Sequence, residues 1–95
     1  MINVTEHARQ ELKKILTSRV DNWYARLRLI SRGQGRLGLG IDIEMPGDEV
    51  VEHEGSGLLV VEHELAVNLQ GVILDVEDNG ESTQLVLCER SQNLG

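Results

Sequence analysis

The sequence predicts an α+β domain with an opening helix, a run of mostly antiparallel strands and a second short helix. Three observations lead there. Ala8, Leu12, Ile15 and Leu16 recur at helical spacing. From Ala25 onward, apolar and polar residues alternate at period two instead. Turn residues then divide the remainder into segments too short for further long helices.

Thr5 is placed to cap the first helix, with Val4 at the staple position before it and Glu6 at the positive end of the dipole. The helix should end between Ser18 and Asp21. Ala25, Leu27 and Leu29 give a strand with an apolar face, while Arg26 and Arg28 make the other face basic. Residues 31–40 hold four of the ten glycines and read as a glycine-rich loop. Leu39, Ile41 and Ile43 restore alternation up to the turn at Met45-Pro46-Gly47-Asp48. Val50–Glu54 and Leu58–Glu62 read as two strands around Gly55-Ser56-Gly57. A short helix over His63–Gln70 should stop at Gly71 in the left-handed conformation. Val72–Glu77 and Thr83–Cys88 form a last hairpin, for which Asn79-Gly80 is a two-residue turn signal.

Ninety-five residues suit one domain with a single core. Fourteen Leu, ten Val and six Ile, against one Trp, one Tyr and no Phe, make that core aliphatic. No apolar run reaches the ~20 residues of a membrane span, and the first residues lack the pattern of a secretory signal. A lone cysteine, Cys88, excludes an intrachain disulfide and agrees with a reducing compartment, so the expected location is cytoplasmic. The net charge of −7 divides into +5 over residues 1–40 and −12 over residues 41–95. A field of that sign repels phosphate backbones, so neither nucleic acid nor a membrane is an expected partner. The arginines of the first half can form a local anion-binding face, or can pair with acids brought alongside by folding.

Several motifs invite chemistry. Gly33-Gln34-Gly35-Arg36-Leu37-Gly38 matches a dinucleotide fingerprint, but a strand pattern follows it where that site needs a helix. Asp75-Val76-Glu77-Asp78-Asn79-Gly80 starts like a calcium loop, yet its twelfth position is Val86 where a bidentate Glu is required. Val-Val-Glu-His-Glu occurs at residues 50–54 and again at 60–64. Pairing about Gly55-Ser56-Gly57 would set His53 opposite Leu59 and His63 opposite Glu49, roughly 13 Å apart at the strand rise and too distant to share an ion. Both histidines then read as surface residues. Cys88, on the last strand, reads as a small buried hydrophobe. No grouping of Ser, His and Asp and no placed carboxylate pair suggests catalysis, so an enzyme is not expected.

Taken in order, Arg26-Leu27 with Leu29, Gly33–Gly35, Ile41-Asp42-Ile43, Val51–Gly55 running into Leu58-Leu59-Val60-Val61, and Leu69, Gly71 and Asp75 resemble the HesB-like family of A-type iron–sulfur carriers. The resemblance implies one HesB-like domain over residues 1–90 with a polar tail over 91–95. It also implies a cluster held by three cysteines, one in the glycine-rich loop and a C-x-C near the C-terminus; thiolates are what bind such clusters. Alignment places Gln34 at the first of these, and a neutral amide does not replace a thiolate toward iron. Ser91-Gln92-Asn93-Leu94-Gly95 fills the region of the pair.

The expectation is therefore a non-catalytic binding or accessory protein that keeps the carrier fold, has no expected cofactor, and works with a protein partner of iron–sulfur metabolism and as a homodimer. One alternative is an iron or iron–sulfur carrier on substitute ligands, with Cys88, His53 and His63 as candidates. Another is an anion- or partner-docking face made of Arg26, Arg28, Arg32, Gly33, Gln34, Gly35 and Arg36.

Overall fold

The structure, a computed structural model, describes residues 2–89. The expected tail over 91–95, and the domain limit at 90, lie outside the described residues.

Ile2 and Val4 are buried, and this draws Asn3–Val4 into a strand, β1. Thr5 leaves it with extended φ and ψ and caps α1 (Glu6–Arg19): its Oγ1 accepts from the Ala8 amide at 3.0 Å. The same hydroxyl donates to Asp75 Oδ1 at 2.7 Å. Glu6 in the first turn and Arg19 in the last match the sign of the helix dipole. Ala8, Leu12 and Leu16, four apart, form the buried stripe.

Thr5→Ala should thus remove a cap and a tie to Asp75 together. A loss of about 1–2 kcal/mol in denaturant unfolding is expected, with Thr5→Ser restoring most of it.

Four further strands form one sheet: β2 (Arg26–Gly33), β3 (Arg36–Asp42), β4 (Glu49–His53) and β5 (Ser56–Val61), in the order β3-β2-β5-β4. Both hairpins are antiparallel, but β2 and β5 meet in parallel, with Leu27 beside Leu59 and Arg28 beside Val60. Leu58 to Val61 are all buried, the continuous apolar run of a strand covered on both faces. After α2 (His63–Asn68), β6 (Val72–Asp78) and β7 (Thr83–Glu89) form the last hairpin, and β1 joins β6 in parallel, giving a second sheet of order β1-β6-β7. α1 packs against β2, β4 and β5 of one sheet and β6 of the other. The core lies there, around Leu12, Leu27, Leu58, Leu59 and Leu74.

This is the predicted α+β class, and Gly71 takes the expected positive φ of 80° after α2. The strands form two sheets, each with one parallel contact. Three local expectations are corrected. The supposed loop over residues 31–40 is a hairpin that turns on Gln34 and Gly35, with φ of 54° and 76°. The second hairpin turns on Glu54 and Gly55 (φ 53° and 81°) instead of Gly55-Ser56-Gly57, so His53 faces Ser56 and Val51 faces Leu59. The last hairpin has a longer loop than Asn-Gly alone suggests: Asp78 pairs with Thr83, and Asn79 Oδ1 accepts from the amides of Glu81 and Ser82.

Candidate functional site

The basic face of β2 is set by strand alternation, since Leu27 and Leu29 point into the core. Arg28 leaves little of its charge free. Its Nε donates to Asp42 Oδ2 at 2.6 Å, and its two Nη groups donate to both carboxylate oxygens of Asp48 at 3.1 and 2.6 Å. Its Nη2 also donates to the Ile43 carbonyl at 3.1 Å. The Asp48 side chain is only 5 % exposed and also accepts from the Met45 amide, so one ion pair ties β2 to the turn between β3 and β4.

The guanidinium of Arg28 holds the Asp48 carboxyl below its ordinary range, with a further contribution from the Met45 amide. Asp42 is lowered first by the Ile43 amide and then by Arg28. Asp75, beneath the start of α1, is lowered by the Thr5 hydroxyl and by the Val76 amide.

Arg26 donates through Nη1 to the carbonyls of Trp23 and Ala25, and its side chain lies over Gly57 of β5. Arg32 lies across Gly38 of β3. Arg36 stands exposed beside the turn. Of the proposed docking face, then, Arg28 follows the pairing alternative. Arg32 and Arg36, with Gly33, Gln34 and Gly35 between them, remain together at the exposed hairpin end. Arg32, Gly35 and Arg36 border an open cleft of about 760 Å³ whose apolar walls are Leu37 and Leu39 of β3 and Leu85 and Leu87 of β7.

The candidate ligands are dispersed. His53 closes β4 and is buried, contrary to the surface reading, on the same face of the strand as buried Val51; its Nε2 lies 3.4 Å from Glu54 Oε1. His63 opens α2 and is exposed. Cys88 pairs with Ile73 near the end of an edge strand and is exposed, correcting the expectation of burial. Among the described residues no three His, Cys, Asp or Glu side chains are grouped to hold a metal ion.

Two residues had no role in the sequence reading. Trp23 is 85 % exposed, and it meets half-exposed Tyr24 edge to face at 5.6 Å between ring centroids. Their adjacency, as the only aromatic residues of an aliphatic chain and in a turn, was the available signal.

A helix across two small sheets, with the chain passing from a β2–β3 hairpin through β4, β5 and α2 to a final hairpin, is the HesB-like fold of the A-type iron–sulfur carriers. Among solved structures the chain is similar to IscA crystallised with a [2Fe–2S] cluster, with a TM-score of 0.62 and 19% identity over 94% of this chain and 85% of that one. It is equally similar to Escherichia coli SufA, described as involved in the biosynthesis of iron–sulfur clusters, with a TM-score of 0.62 and 19% identity over 97% of this chain and 83% of the other. At this identity the likeness is one of fold. No family model matches the chain, and no curated protein matches it.

Proposed function

We propose that this protein is a non-catalytic accessory protein of iron–sulfur metabolism, cytoplasmic, which keeps the carrier fold and acts by binding a protein partner and a second copy of itself. The observation that carries the reading is Gln34 at the apex of the β2–β3 hairpin, where the family resemblance calls for a cysteine, on a chain with the carrier fold. An amide oxygen is a poor ligand for the iron of a cluster, and the candidate substitute ligands Cys88, His53 and His63 sit on three different elements.

Anaerobic incubation with ferrous iron and sulfide, followed by desalting, tests this. No visible chromophore and no bound iron are expected, in the wild type or in Cys88→Ser. A stable chromophore lost in Cys88→Ser would overturn the reading in favour of a carrier on substitute ligands.

A further inference from the structure

Every open sheet has two edges, and exposed edges invite pairing with another chain unless they are short, charged or interrupted. Here β1 is two residues long, and β4 carries Glu49 and Glu52 among its five. β3 is different. It is a seven-residue edge strand, Arg36-Leu37-Gly38-Leu39-Gly40-Ile41-Asp42, with no proline and no charge between its two ends. Leu37 and Leu39 are only half-buried, and Ile41 is 44 % exposed. On the other face, Arg32 and Ile30 of β2 lie over Gly38 and Gly40, so between Arg36 and Asp42 no β3 side chain stands up there.

The order of residues in β3 is self-complementary. Antiparallel pairing of two copies about Leu39 sets Arg36 against the partner's Asp42, Leu37 against the partner's Ile41 and Gly38 against the partner's Gly40. Leu39 meets its own copy on the two-fold axis. Opposite charges face at both ends, six partly exposed aliphatic side chains meet on one face, and no like charges are opposed. Asp42, although bonded to Arg28, keeps an exposed carboxylate with acceptor capacity to spare. β7, the other seven-residue edge, contains no basic residue and offers no such end-to-end charge match.

We propose that two copies of this chain join edge to edge through β3, antiparallel and centred on Leu39, making one continuous eight-stranded sheet across the dimer. This deepens the self-association in the reading above; its test measures mass and cross-linking instead of iron, so a monomer would remove the self-association and leave the reading of a carrier fold without a cluster standing, while bound iron would do the reverse.

The test uses sedimentation velocity of the full chain at micromolar concentration. The wild type should be a dimer. Arg36→Asp alone and Asp42→Arg alone should each weaken it about thirtyfold, since each opposes like charges at two symmetric contacts of about 1 kcal/mol. Mixing the two variants should restore the dimer, because in the mixed pair both ends again carry opposite charges. As a second measurement that spares the ion pair of Arg28, Leu39→Cys in a Cys88→Ser background should form an interchain disulfide with diamide. Leu37→Cys in that background should not, its own copy lying roughly four residues of strand away, about 13 Å. A monomeric wild type, a dimer indifferent to Arg36→Asp, or equal cross-linking at residues 37 and 39 would each overturn the proposal.

Discussion

Leu59→Ala is expected to lower the unfolding free energy by about 3 kcal/mol, within the ~2–5 kcal/mol spread seen for removing a fully buried leucine. Leu59 has no exposed surface and sits where the four-stranded sheet is joined: it faces Leu27 of β2 on one side and Val51 of β4 on the other. Neighbours held by strand pairing on both sides cannot collapse readily into the cavity, which places the cost away from the lower limit. For a chain of this size the midpoint of thermal unfolding should fall by about 15 °C, read by circular dichroism. Leu87→Ala, on exposed β7, is the control and should move it little. Equal effects at the two positions would contradict the core described above.

Asp48→Ala has the second largest expected effect, about 2 kcal/mol at neutral pH. It removes two charged hydrogen bonds from Arg28 and the acceptor of the Met45 amide. The Arg28 side chain, 18 % exposed, keeps Asp42 and some access to water, which holds the cost below that of a fully buried unpaired charge. The pH dependence has a definite sign. Asp48, Asp42 and Asp75 have lowered values in the folded state, so the unfolded chain takes up protons first as the pH falls. The stability they contribute is complete above the unfolded carboxylate value of about 3.9 and is lost as pH drops below it toward the folded values. Urea midpoints measured from pH 7 downward should fall through this window, and more shallowly in Asp48→Ala. Parallel slopes in the two proteins would show that the ion pair has no part in acid stability.

Thr5, Leu12 and the 58–61 run show how far local rules reach in this chain. A threonine ahead of an apolar stripe at helical spacing is sufficient to place a cap, because the cap satisfies amides only three residues away. An uninterrupted aliphatic segment is sufficient to mark β5 as a strand; that both its faces are covered, so that Leu58 to Val61 are all buried, is decided by the packing around it. Asn79-Gly80 shows the opposite. The dipeptide favours a two-residue turn, but Asn79 caps two amides of a longer loop through its side chain, a competing use of the same residue. Gln34 and Glu54 adopt positive φ, a conformation their residue type does not announce, and both hairpins turn one or two residues from where glycine spacing alone would put them.

The candidate site divides along the same line. The alternation of Arg26 and Arg28 against Leu27 and Leu29 was legible, since a strand's period of two assigns its faces without reference to any neighbour. The partners those arginines find were not: Asp48 and Gly57 reach them across a turn and a parallel strand contact. Composition and spacing settled the class, the first helix and the two faces of β2, because each depends on residues close in the chain. The division into two sheets, the burial of His53, the exposure of Cys88 and the position of β3 at the edge of its sheet were settled by packing. Each of those depends on which distant segments bury one another, a choice made by the core as a whole and carried by no single stretch of chain.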